Sequence, residues 1–213
     1  MGIELRNPII LGACNMTKHL DLLKKAEEQG VGAVVYKSLF EEQIQLEKLQ
    51  LDEKLTEFND IYAEMLTIHP NIEYSGYEEH LLNLRKAKES LSIPVIASLN
   101  AVNEDIWIEY AKLIGETGVD GIELNFYQVP WDFNKKSGQI EKEQIDIVRK
   151  IKQNISIPVS VKLSPDYTNI LNLIKQMDTI GVDAFVLFNS FFQPDIDIMK
   201  EKHVKSFNFS KKG

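Results

Sequence analysis

The chain repeats itself. Ser92-Ile-Pro-Val95 returns as Ser156-Ile-Pro-Val159, and Gly118-Val-Asp-Gly121 returns as Gly181-Val-Asp-Ala184, with Gly30-Val-Gly-Ala33 a looser copy. Repetition of this kind means repeated structural units. Each unit runs helix, Gly, short apolar strand, one polar residue, turn. Ile157–Pro165, read as Ile-Pro-Val-Ser-Val-Lys-Leu-Ser-Pro, shows the strand half of the unit most plainly. Its β-branched run is bounded by turn signals and reaches Lys162 just before Ser164-Pro165. A cation at the end of an apolar strand is costly unless something uses it.

The same grammar places strands over 7–13, 32–36, 94–99 and 121–124, a fifth ending at Lys162, and a sixth over 184–188. Helices are expected over 18–29, 78–91, 104–117, 142–154 and 169–180, with an acidic helical stretch over 40–68 read as a solvated face. Near-continuous apolar strands alternating with helices mean βαβ crossovers and a parallel sheet. No Gly-x-Gly-x-x-Gly or Walker lysine loop opens a helix, which removes support from the nucleotide-binding open sheets. The expected fold is therefore α/β, a parallel (β/α)8 TIM-type barrel. It is expected to be incomplete, with about six βα units and the last two missing. A single barrel domain over 1–200 is expected, followed by a basic tail over 201–213 with no strand or helix pattern. An open six-strand edge is an aggregation liability, and a homodimer is one way to close it.

Of 213 residues, 24 are Lys or Arg and 32 are Asp or Glu, a net charge of −8. That balance speaks against nucleic acid or an anionic membrane as the main partner. Cys14 is the lone cysteine, so no disulfide forms within the chain, which fits a cytoplasmic location. Beside Ala13 it reads as buried packing. No apolar run approaches the ~20 residues of a membrane span.

In a parallel barrel the chemistry sits at the carboxyl ends of the strands. Those positions carry Lys37, Asn100, Asn125, Lys162 and Asn189. Singly, Asn is a common turn residue and a strand-end Lys can reach solvent. Five consecutive strands each ending in Lys or Asn shift the balance towards function. Two cations and three amides without a His or carboxylate cluster suit neither a metal nor a Ser-His-Asp relay. They suit a planar, hydrogen-bonding, partly anionic ligand, with a lysine to stabilise an anion on a ring that gains electrons.

These residues resemble the soluble, FMN-dependent dihydroorotate dehydrogenase-like family, C-terminally truncated. The resemblance covers roughly residues 7–197. It rests on Asn7-Pro-Ile-Ile-Leu-Gly-Ala-Cys14, Val35-Tyr-Lys-Ser-Leu-Phe-Glu-Glu-Gln43, Pro94-Val-Ile-Ala-Ser-Leu-Asn100, Glu123-Leu-Asn125, Val159-Ser-Val-Lys-Leu-Ser-Pro165 and Val186-Leu-Phe-Asn-Ser190. It implies FMN as cofactor and oxidation of dihydroorotate to orotate in pyrimidine biosynthesis. It also implies Ala13, Lys37, Ser38, Asn100, Asn125 and Lys162 at the flavin, and Lys37, Asn125 and Asn189 at the substrate. The family's strand-four loop carries a Cys as base. Here the loop is Asn125-Phe-Tyr-Gln-Val-Pro-Trp131, with the amide of Gln128 at that position and Tyr127 as the nearest ionisable group. The resemblance also places the FMN phosphate grip on the last two strands.

Three alternatives stand beside this reading. One is a flavoprotein with another substrate, and one is a truncated, non-catalytic barrel. The third is a Schiff-base lyase using Lys162, which lacks a carboxylate–lysine pair on neighbouring strand ends.

Overall fold

The computed structural model describes residues 1–40, 77–101, 103–126 and 132–189, and the backbone of Asp195–Asp197 and Lys202–Val204. The elements are β1 Ile10–Leu11, α1 Leu20–Glu28, β2 Ala33–Phe40, α2 Tyr77–Ser90, β3 Val95–Asn100, α3 Glu104–Gly115, β4 Gly121–Phe126, α4 Ser137–Asn154, β5 Val159–Leu163, α5 Ile170–Thr179 and β6 Ala184–Leu187. Strands β1 to β6 form one parallel sheet in chain order. This is the expected TIM-type α/β barrel, incomplete, with six parallel strands alternating with helices. The acidic stretch over 40–68 lies, but for Phe40 at the end of β2, outside the described residues.

The boundaries differ in informative ways. β1 is only Ile10–Leu11, because Asn7 spends its groups on a local knot. Its Nδ2 donates to the Gly30 carbonyl and its Oδ1 accepts from the Ile9 N–H. β2 runs past Lys37 to Phe40. α4 begins at Ser137, before the expected start, where Gln139 Oε1 reaches back to accept from the Lys136 backbone N–H at 2.8 Å. α5 is capped by Asn169, whose side chain accepts from the Asn172 N–H. The tail reading is corrected. Lys202–Val204 (β8) is a strand and pairs antiparallel with Asp195–Asp197 (β7).

The sheet has two unlike faces. One carries Tyr36, Leu99, Leu124 and Val161 into a single apolar core with Leu23, Trp107, Ile151 and Met177 from the helices. Each such side chain, fully buried, contributes roughly 1.5–3 kcal/mol. The other face, turned from the helices, is the barrel interior, and most of its upper positions are polar.

The sequence repeat has a physical job at the amino ends of the strands. In one copy Asp120 N–H donates to the Val95 carbonyl, while its carboxylate accepts from Val95 N–H and from Lys88 Nζ at 2.7–2.8 Å. In the next copy Asp183 N–H donates to the Val159 carbonyl, and its carboxylate accepts from Val159 N–H at 2.8 Å and Lys152 Nζ at 2.6 Å. Each aspartate thus ties the start of one strand to the following loop and to the preceding helix. The loose copy has Gly32 instead, and Gly32 N–H donates to the Ile9 carbonyl. A Cβ at Gly32 would stand 2.3 Å from the Asn7 carbonyl oxygen, so no side chain fits. Glu27 on α1 does the tying there, accepting from Ser92 N–H, Ser92 Oγ and Ile93 N–H.

The N-terminus packs at the same end of the barrel. Met1 N donates to the Asp183 carbonyl at 3.0 Å. A Cβ on Gly121, the first residue of β4, would meet Met1 Cε at 2.7 Å and Ile3 Cδ1 at 3.3 Å.

Candidate active site at the carboxyl ends of the strands

Strand register builds the site. Ser98 lies opposite Glu123, Glu123 opposite Ser160, and Asn125 opposite Lys162. Because side chains alternate along a strand, these residues share the interior face with Asn100. Ser98, Asn100, Glu123, Asn125 and Ser160 are all buried. Three of the expected strand-end residues sit where the sequence puts them. Asn100 closes β3, and Asn125 and Lys162 are next to last in β4 and β5.

Lys37 and Ser38 arrive differently. β2 pairs Tyr36 with Ala97 and Leu39 with Leu99, so two residues oppose the single Ser98. This is a β-bulge, a device that re-aims side chains near sites. Ser38 Oγ meets Ser98 Oγ at 2.6 Å. Lys37 Nζ donates to Asn15 Oδ1 at 2.7 Å, fastening the loop after β1 over the strand. Asn189, two residues past β6, donates from Nδ2 to Asn125 Oδ1. Ala13, half-buried, lies in the loop after β1. Tyr127 and Gln128 lie outside the described residues.

Two sequence expectations are corrected. Cys14 is exposed, because its backbone rather than its side chain is held: Thr17 Oγ1 bonds both its N–H and its carbonyl. A carboxylate–lysine pair on neighbouring strands does exist. Lys162 Nζ stands 3.8 Å from Glu123 Oε1, with side-chain exposures of 16% and 5%. Burial raises the Glu123 carboxyl above its ordinary range, and Lys162 and Ser98 pull against that rise. Sequence reading took only the last polar residue of each strand. Stepping back by two from Asn100, Asn125 and Lys162 finds Ser98, Glu123 and Ser160.

The row fits a flat heterocycle with polar edges. Amides at Asn100, Asn125 and Asn189 offer donors and acceptors, and Lys162 offers a cation beside them. Among the described residues no group of three His, Cys, Asp or Glu side chains could hold a metal.

An incomplete parallel βα barrel with a buried polar row at its strand ends defines a TIM-barrel enzyme. The chain belongs to the dihydroorotate dehydrogenase family, oxidoreductases acting on CH–CH groups, whose model matches residues 1–210. Its similar proteins include the catalytic subunit of dihydroorotate dehydrogenase B (NAD(+)) from Methanocaldococcus jannaschii, 29% identical over 98% of this chain and 67% of that protein. The same subunit from Thermoplasma volcanium is 31% identical over 96% of this chain and 65% of that protein. Dihydroorotate dehydrogenase A (fumarate) from Lactobacillus delbrueckii subsp. bulgaricus is 29% identical over 61% of this chain and 42% of that protein. The chain thus spans about two thirds of the length of the first two relatives. Among the described residues no helix is long and apolar enough to cross a membrane.

Proposed function

We propose that this chain is an FMN-dependent oxidoreductase that converts dihydroorotate to orotate in pyrimidine biosynthesis. The observation that carries the reading is the joined pair Asn125–Asn189 beside Lys162, on the interior face at the carboxyl ends of β4 and β5. Family membership supports the reaction class.

Asn100, Asn125, Lys162 and Ser38 would hold the flavin ring, with Lys37 and Ala13 at its side. Lys37, Asn125 and Asn189 would hold the substrate. Oxidising a CH–CH pair removes one hydrogen as a proton and the other with its electron pair, and bound FMN supplies the acceptor for that pair. Lys162 Nζ would supply the cation that stabilises negative charge on such a ring. Tyr127 Oη is assigned as proton acceptor, since the amide of Gln128 is no base. Its ordinary pKa of ~10 requires activation. The setting is cytoplasmic, with a homodimer as the proposed assembly. Exposed Ile9, Ile10, Leu187 and Phe188, at the two outer strands, support self-association.

A second reading keeps the flavin and changes the substrate, and Gln128 at the base position favours it. Schiff-base chemistry at Lys162 is the weaker reading, because family membership supports an oxidoreductase.

The test is the visible absorbance spectrum of the purified chain with and without FMN. A protein-bound flavin spectrum that bleaches on adding dihydroorotate supports the first reading. Bound flavin without bleaching supports the second. A colourless protein that ignores FMN overturns both.

A further inference from the structure

Four successive strands each give one polar side chain to a line on the interior face, and two of its members, Ser98 and Glu123, have no part in the flavin reading. Ser38 from β2 meets Ser98 from β3 at 2.6 Å. Ser98 Oγ donates to Glu123 Oε1 from β4 at a long 3.5 Å. Lys162 from β5 reaches the same oxygen at 3.8 Å. Ser98 is fully buried and Glu123 is 4% exposed. A buried carboxylate is costly unless it is paired and hydrogen-bonded. A glutamine would occupy the same space and accept from Ser98 without that cost. What only the carboxylate supplies is charge directed at Lys162.

We infer that Glu123 is a positioning residue. Its carboxylate, seated on the Ser98–Ser38 hydroxyl pair, pairs with the Lys162 ammonium and aims it along the interior face. The other neighbours cannot substitute for it. β6 is Ala-Phe-Val-Leu and carries no ionisable group. β3 offers Ser98 and Asn100, and β4 offers Asn125 above Glu123, all uncharged. Lys37 on β2 is engaged with Asn15. The 3.8 Å separation exceeds a hydrogen bond. The contact is therefore a charge pairing that leaves the Lys162 protons free for a ligand. What Lys162 then touches rests on the flavin reading. The pairing itself does not.

The experiment follows the Lys162 amine in the flavin-free chain. Lysines are labelled as 13C-dimethylamines and titrated by NMR, with Lys162→Arg identifying the signal. In Glu123→Gln the Lys162 midpoint should fall by about one pH unit, a tenfold change in its acid constant. Glu123→Asp keeps the charge with a shorter reach and should restore part of that fall. If Glu123→Gln does not fold, Glu123→Asp still tests the pairing, with a smaller fall expected. A midpoint unchanged in a folded variant overturns the inference. Wild type that ignores FMN while the midpoint still shifts would overturn the flavin reading and leave the positioning role standing. FMN binding to wild type with an unmoved midpoint would do the reverse.

Discussion

Asn189 donates its side-chain amide to Asn125 Oδ1, so the loop after β6 is latched to the strand two places away, across the end of β5. Asn125 is buried and lies opposite Lys162. The latch therefore fixes an amide and a cation relative to each other, the geometry that a flat ligand needs in advance of binding.

Removing the donor should be felt in ligand affinity before stability. Asn189→Ala leaves a buried acceptor unmet, at about 1–3 kcal/mol. Flavin binding should weaken by roughly tenfold, read by quenching of flavin fluorescence on titration with protein. An affinity equal to wild type would show that the latch does not serve the ligand.

Asp183 ties β5 to α4, and the tie should weaken in acid. Burial pushes its carboxyl up, but the Lys152 ammonium and the Val159 N–H outweigh that, leaving it below the usual carboxylate range. A depressed carboxyl contributes stability above its unfolded pKa, and that contribution is lost as pH falls through the folded value. Asp183→Asn should therefore cost about 1 kcal/mol at neutral pH. It should match wild type once the pH is below the folded value. Urea unfolding across a pH series measures both limbs.

The two crowded glycines should differ in cost. At Gly32 an added Cβ meets the Asn7 carbonyl, a backbone atom, at 2.3 Å. At Gly121 the nearest atom is Met1 Cε, the end of a flexible side chain, with the Pro158 carbonyl at 3.2 Å. Gly32→Ala should cost at least the ~1–3 kcal/mol of an overpacked site, and Gly121→Ala less. Thermal melts of the two variants in the opposite order would contradict the close approach of Asn7.

His80 is a second source of acid sensitivity. It stands edge-on to Tyr36 with ring centroids 5.3 Å apart, and its Nε2 is buried. Burial, with Lys18 and Lys37 nearby, lowers it to about 4. A histidine held neutral contributes stability that is present above its unfolded pKa of 6.5 and lost as pH falls towards the folded value. His80→Phe keeps the edge-on contact without the titration. Wild type should lose roughly 3 kcal/mol more than His80→Phe between pH 7 and pH 4, by chemical denaturation at each pH.

The order of strands and helices was legible in part because Gly-Val-Asp and Ser-Ile-Pro each recur at the same point of two units. Asn100, Asn125 and Lys162 were legible because each is the last polar residue of its apolar run. Ser98, Glu123 and Ser160 were hidden by the apolar residues between them. In strands buried on both faces, period-2 alternation is easily taken for a continuous hydrophobic run. The bulge at Lys37–Ser38 carries no Gly or Pro to announce it and emerges only from pairing with β3. The exposure of Cys14 depends on Thr17 turning the backbone, which composition does not encode.

The aspartate ties lie at one pole of the barrel and the polar row at the other. Scaffold and reactivity are thereby uncoupled in space. Substitutions among the polar-row residues leave the struts at the base untouched, and the strut residues do not reach the row. The mouth can therefore change while the foundations stay the same.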